Sequence, residues 1–407
     1  MDAIPSRGPL VPQPTRLVHL DALRGFALLG ILMVNICTFA SAYYGAAVPD
    51  PLFTRPVDQA VRWLVACLFE TKFYLLFSFL FGYSFTLQMS AAEHSGKAFV
   101  PRMLRRLLGL WLIGAAHAVW LYHGDILCTY AVLGLILLWL RHQSEPRAMR
   151  RAYWLTLMPA ALLALSGGAQ LLFGGAIDLG AATTKAAAAQ QAWLGTPASV
   201  VAQRLEELSA IWIVAVLIQG PCALAMFMLG FAAGKRRMFA RLDGYHRLRQ
   251  RLATRGLAIG LPGAVFYATA TVYGAGSGWE FVGLAISLVT APFLTFAYAA
   301  FALALFDRAA GWRIARLLAP AGRMALSNYL LQSLVCALLF TGYGLGWMGR
   351  VSPAGSVLIT LVLFALQLVA SGLWLRRFSY GPVEWALRAL TVGAWPAMRR
   401  TAGLPSR

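Results

Sequence analysis

The chain predicts an all-α fold, a polytopic transmembrane helical bundle of about ten spans with both termini cytoplasmic. Three observations predict it. Hydrophobic residues make up 59% of the 407 and charged residues 12%, whereas a soluble domain carries about twice that charged share. Apolar stretches close to the ~20 residues that cross a bilayer recur along the whole length. The basic residues gather on one side of the membrane that these stretches imply. A soluble enzyme with a single anchor, a disordered chain and a collagen-like repeat are thereby excluded.

The apolar stretches fall at 21–41, 73–91, 103–121, 126–141, 152–173, 209–233, 256–273, 279–306, 323–343 and 353–375. The fourth is short. The stretch 57–69 is apolar on one side but carries Asp58 and Arg62, so it reads as an interfacial helix leading into the second span. With ten spans, 29 of the 35 Lys and Arg residues lie on the side of the termini, from Arg7 to Arg407, and 6 on the other. Cationic loops stay in the cytoplasm, so this split sets the termini there. It also explains the net charge of +20 without nucleic acid. The basic loop 234–255 reads as a topology determinant and a contact for anionic lipid. The chain reads as one integrated membrane domain, an N-terminal transmembrane half over 1–255 and a C-terminal region over 256–407. Leu- and Ala-rich faces leave room for a homo-oligomer.

Ionisable and amide groups inside a bilayer are costly, so each is a functional candidate. Asp21 and Arg24 open the first span three residues apart, on one helix face. Asp21 either caps this helix with Arg24 as a topology charge, or orients Arg24 toward a phosphate or carboxylate. Asn35 lies eleven residues beyond Arg24, nearly on the same face and about 16 Å deeper. His117 lies near the outer end of the third span, and His123 and Asp125 lie in the tight turn that follows. Imidazole beside carboxylate is the pairing of a general base and its orienter, or of a stabilised hairpin. No His, Cys, Asp or Glu spacing marks a metal site, and no metal is expected. Glu70 and Lys72 read as an interfacial ion pair. Asn328 and Gln332 in the ninth span read as interhelical glue or pocket lining. Gln219-Gly220-Pro221 marks a kink in the sixth span. Glu384 and Arg388 pair at i and i+4 on a C-terminal interfacial helix. The five cysteines show no CxxC spacing and read mainly as buried free thiols. Walker, GxSxG, HExxH and dinucleotide motifs are missing from the sequence.

Several of these segments, in this order, resemble the YeiB-like family of bacterial inner-membrane proteins, which carries domain of unknown function 418. They are Leu20–Ile36, Lys72–Gly82, His117–Gly134, Gly322–Leu334 and Ser379–Thr391. The resemblance covers nearly the whole chain and implies a multi-pass protein of the bacterial inner membrane, with 256–407 resembling the named domain. The first span is also similar to the opening helix of membrane acyltransferases of the acyltransferase-3 and heparan-glucosaminide acetyltransferase type, which begin with a like Asp-x-x-Arg-Gly segment. That likeness implies acyl transfer from a cytoplasmic acyl-CoA co-substrate to a hydroxyl or amine. The acyltransferase-3 pattern places a His eleven residues after the Arg, where this chain has Asn35, so any base must come from elsewhere, with His117 or His123 nearest to hand.

Three functions are open on this reading. In the first, an acyltransferase, Arg24 with Arg102, Arg105 and Arg106 holds the acyl-CoA phosphates, and His117, oriented by Asp125, activates an acceptor. The second is a transporter or flippase for a small or lipidic solute. The third is a non-catalytic membrane partner or sensor.

Overall fold

The computed structural model describes residues 14–96, 98–174, 178–240 and 245–400, apart from the side chains of 14–17 and 240. Of the charges counted above, Arg7, Lys97, Arg241 and Arg407 lie outside the described residues. Among those described, every named element is helical. In order they are α1 (Pro14–Ala40), α2 (Pro56–Leu68), α3 (Lys72–His94), α4 (Phe99–Trp120), α5 (Leu127–Trp139), α6 (Glu145–Phe173), α7 (Leu179–Leu194) and α8 (Pro197–Val214). A π-turn (Ala215–Gln219) then leads into α9 (Gly220–Lys235). The chain continues through α10 (His246–Tyr273), α11 (Gly278–Phe306), α12 (Ala309–Arg323), α13 (Ala325–Phe340), α14 (Pro353–Arg377) and α15 (Pro382–Val392).

Each of the ten expected spans falls on a helix. Among the described residues seven helical stretches are long and apolar enough to cross a membrane, or eight if α12 and α13, bent by 78°, count as one. The two expected spans below that measure are α4 and α5. The first turns of α4 hold Arg102, Arg105 and Arg106, and α5 has only 13 residues. The two pack on each other as a hairpin. Lipid contact is written on the outer faces: α14 exposes Leu358, Leu361, Val362, Leu366, Val369 and Leu373. So continuous an apolar surface is stable only against hydrocarbon. The protein is a multi-pass membrane protein.

The interfacial expectation for 57–69 is corrected. Helices α2 and α3 form one helical rod from Pro56 to His94, interrupted at 69–71 but not sharply bent. The side of α2 holding Ala66 and Cys67 packs on Ala264, Tyr267 and Ala268 of α10. Small residues let these helices come close, so α2 continues the line of α3 along α10.

Helix α1 is the hub and touches α3, α11, α12, α13 and α14. Leu28, Leu32 and Ile36 pack into one core cluster, whereas Leu20, Leu23 and Ala27 pack into another. Gly25 permits close approach, because a Cβ there would collide with the backbone carbonyl of Leu318 on α12.

Candidate functional site

The residues on α1 that the spacing places on one face do face one space. Arg24, Leu28 and Ile31 line a cavity of about 230 Å³. Ile31 continues with Asn35 into a second cavity of about 100 Å³. The two share Ile31, Ile126 and Tyr329, which form a waist between them.

The larger cavity has a charged mouth and a greasy wall. Arg24, Arg106, Arg323 and Glu384 supply the charge, and Phe77, Leu80, Phe81, Leu110 and Leu127 are among the apolar walls. Arg24 is held in place: it donates to Asp21 Oδ1 at 2.7 Å and to Ser84 Oγ at 2.6 Å. Asp21 lies inside α1, which begins at Pro14, so it does not cap the helix, and its carboxylate pairs with Arg24. Arg106 Nε is buried without a hydrogen-bond partner. Glu384 does not pair with Arg388. Its carboxylate accepts from Leu326 N at 2.7 Å and Ser327 N at 3.0 Å, and also takes the Ser327 hydroxyl. It thereby caps α13, whose first amide groups have no helical partner. Arg388 lies instead over the Tyr380 ring.

Behind the waist lies the titratable pair, which reaches it through Tyr329 and lines neither cavity. His117 Nδ1 and Asp125 Oδ1 lie 2.8 Å apart, and Asp125 Oδ2 accepts from Cys128 N at 2.8 Å. Asp125 therefore caps α5 and orients the imidazole at once. His117 is only 2% exposed, its Nε2 has no hydrogen-bond partner, and its ring packs on Tyr329 with centroids 4.9 Å apart. The Tyr329 hydroxyl also lacks a partner. An imidazole with one nitrogen held by a carboxylate and the other free is the arrangement of a general base.

Other predicted residues lie elsewhere. His123 is separate from Asp125 and stands against Trp193 of α7, with Glu207 of α8 at 4.0 Å. Arg102 and Arg105 are not among the residues lining either cavity. Asn328 donates to Ala321 O at 3.2 Å and Ser371 Oγ at 2.9 Å. Gln332 donates to Gln367 Oε1 at 2.8 Å, and Gln367 donates to Asn328 O at 3.0 Å. Of the two readings offered for Asn328 and Gln332, the structure shows glue between α13 and α14. Asn35 lines the smaller cavity, and Tyr122 donates to its Oδ1 at 3.4 Å.

The expected Glu70–Lys72 ion pair is also corrected. Glu70 accepts from Tyr267 OH at 2.6 Å and from Tyr44 OH, whereas Lys72 donates to Ala66 O at 3.0 Å. Both are buried at the α2–α3 break. The freed carbonyl of Ala66 and the two phenols satisfy them more directly than each other. The five cysteines are free.

Sequence reasoning missed Tyr329, Ser84 and the capping role of Glu384. Tyr329 adjoins Asn328, whose amide is the stronger polar signal in an apolar span. Gln219 does more than mark a kink. It ends the π-turn and lines the smaller cavity.

Comparison with known proteins adds the lineage. Residues 233–394 match the family described as protein of unknown function DUF418. The chain is 34% identical to the uncharacterized protein YxaH of Bacillus subtilis strain 168, over 96% of this chain and 98% of that one. It is 30% identical to the uncharacterized protein YeiB of Escherichia coli strain K12, over 95% and 99%. It is 27% identical to an uncharacterized 39.9 kDa protein from the amylase 3′ region of Bacillus acidopullulyticus, over 92% and 94%. No solved structure matches. With full-length similarity at these identities, the chain belongs to the YeiB-like DUF418 family of multi-pass membrane proteins.

Proposed function

We propose that the protein transfers an acyl group from a cytoplasmic acyl-CoA to an acceptor hydroxyl or amine that reaches the waist from the opposite side of the bacterial inner membrane. The observation carrying this reading is the cavity that runs from Arg24 and Arg106 to Tyr329, with the His117–Asp125 pair behind it. Arginine at the mouth suits the donor's phosphates. The apolar wall suits a pantetheine arm and its thioester. At the waist the acceptor O–H proton passes to His117 Nε2, directly or through the Tyr329 hydroxyl. The acceptor oxygen then bonds to the thioester carbonyl carbon, the C–S bond breaks, and the departing thiolate takes up the proton. Asn35 has no part in proton transfer here and serves the acceptor side.

Two cavities meeting at one waist also fit a transporter with access from alternate sides, and this is the second reading. The exposed Arg237, Arg247, Arg251 and Arg255 of the basic loop hold anionic lipid in either case. Other cations of the loop are tied within the protein: Lys235 to Gln143 O at 2.7 Å, Arg236 to Glu145 at 2.6 Å, and Arg249 to Asp307.

Calorimetry on detergent-purified protein tests the enzyme reading. Acetyl-CoA is expected to bind saturably, and Arg24→Ala to weaken it by about tenfold or more. If neither acetyl-CoA nor a longer acyl-CoA binds to folded, monodisperse protein, acyl transfer is wrong and transport takes its place.

A further inference from the structure

Arg106 lines the larger cavity, and among the described residues it makes no hydrogen bond and no ion pair, although its Nε is buried. Its guanidinium carries five donors and no acceptor. The other charges of this cavity are engaged. Arg24 is held by Asp21 and Ser84, Arg323 donates to Ser379 O at 3.4 Å, and Glu384 uses its oxygens on the start of α13. Three guanidiniums at the mouth thus face two carboxylates, Asp21 and Glu384, which leaves one positive charge in excess. A cation taken out of water without a partner is destabilising until an anion joins it.

Beyond this charge the walls are hydrocarbon. Leu28, Phe81, Phe85, Met103 and Leu110 are among them, and the waist at Ile31, Ile126 and Tyr329 ends the cavity. Arg24 and Ile31 mark its two ends on α1, seven residues and therefore about 10 Å apart. The volume of about 230 Å³ equals roughly eight groups the size of a water, at about 30 Å³ each. A methylene is of similar size, so a single alkyl chain fills the space. The smaller cavity, where the α2–α3 break, the α4–α5 turn and the π-turn meet, has no charged residue in its lining and gives an anion no partner.

One unmatched cation and one chain's worth of apolar volume together fit an amphiphile. We infer that the larger cavity binds a free single-chain carboxylate, a fatty acid of about eight carbons, with its head on Arg106 and its tail toward the waist. A carboxylate meets a guanidinium through two parallel N–H···O bonds, and Arg106 has its donors free for them. A neutral head leaves Arg106 unmatched. A cationic head is repelled by Arg106 and by Arg24 and Arg388, whose charges reach it. Binding needs no donor. Its consequence rests on the proposed acyl transfer: the acid occupies the donor's place and competes with acyl-CoA.

The test uses the full chain in phosphatidylcholine nanodiscs, with empty nanodiscs as the blank for partition into lipid. Radiolabelled octanoate is expected to bind saturably. Octanol and octylamine should displace it at least about tenfold less well. Acetate should bind about a hundredfold more weakly or worse, because the buried methylenes are gone. Dodecanoate should bind no more tightly than octanoate, because the cavity ends at the waist, whereas partition into lipid strengthens with every methylene. Arg106→Met should weaken octanoate by about tenfold or more. Should that variant unfold, the comparisons of head group and chain length on the wild type decide alone. The inference is overturned if octanoate does not saturate, if octanol displaces it equally, if affinity climbs through dodecanoate, or if folded Arg106→Met binds like the wild type. Octanoate should also raise the apparent Kd of acetyl-CoA, and binding of both without competition overturns the shared cavity. Octanoate binding to protein that binds no acyl-CoA would keep the carboxylate site and remove acyl transfer. Acetyl-CoA binding without octanoate binding would remove this inference alone.

Discussion

Asn328 and Tyr329 are neighbours on α13 and belong to two different polar clusters. Asn328, with Gln332, Gln367 and Ser371, sews α13 to α14 through donated amide hydrogens, and of its side-chain atoms Gln332 Oε1 is the one left buried without a partner. Tyr329 turns the other way, onto the cavity waist and the His117 ring. There two groups able to pass a proton, His117 Nε2 and the Tyr329 hydroxyl, have no partner. Both clusters are buried and polar, so burial alone does not separate glue from site. Unused hydrogen-bonding capacity beside a cavity does.

The contrast predicts opposite phenotypes. The largest effect is expected from His117→Gln, which keeps an amide near Asp125 but cannot serve as a base. Acyl transfer should fall by about 10²–10⁴-fold with acetyl-CoA binding retained, as read by radiolabelled turnover beside calorimetry. Normal turnover in this variant would return the His–Asp pair to a hairpin-stabilising role.

Next comes Arg106→Met, which keeps the apolar stem and removes the charge. Donor affinity should drop by about tenfold to a hundredfold, with thermal unfolding in detergent unchanged. A variant that unfolds early would instead make Arg106 a structural residue.

Asn328→Leu should do the reverse of His117→Gln. It removes the bonds to Ala321 O and Ser371 Oγ, and stability should fall by about 1–2 kcal/mol. Turnover per folded molecule should stay at the wild-type level. Loss of turnover at full stability would merge the two clusters into one site.

The smallest effect belongs to the Gln332–Gln367 pair. A double-mutant cycle with leucine at each position should give a coupling of about 0.6 kcal/mol in stability. The same cycle between Gln332 and His117 should give none, and measurable coupling there would show that glue and site communicate.

Much of the architecture was legible from the residues alone. The helical class, the ten apolar segments and the face of α1 through Arg24 and Asn35 follow from composition and the helical period, which are properties of neighbouring residues. The His117–Asp125 contact was legible too, because a tight turn keeps residues eight apart within reach. Partner choice was less so. Glu70 and Lys72 looked paired because they are two residues apart, yet phenols from the loop after α1 and from α10, and a carbonyl from α2, satisfy them. Glu384 looked like the partner of Arg388, yet it crosses to the start of α13.

The sequence by itself determined that this is a multi-pass helical membrane protein, which residues are expensive to bury, and which of them share a helix face. Hydrophobicity and the 3.6-residue period act locally and need no partner to be read. Only the tertiary structure decided which costly groups are satisfied and which are left free, where α2 lies, and that three backbone breaks meet at one cavity. Those outcomes depend on groups far apart in sequence, such as Glu70 and Tyr267, 197 residues apart, or Thr71 and Ser287, 216 apart, being brought into contact. Such contacts are chosen by the packing of whole helices, and no local pattern records them.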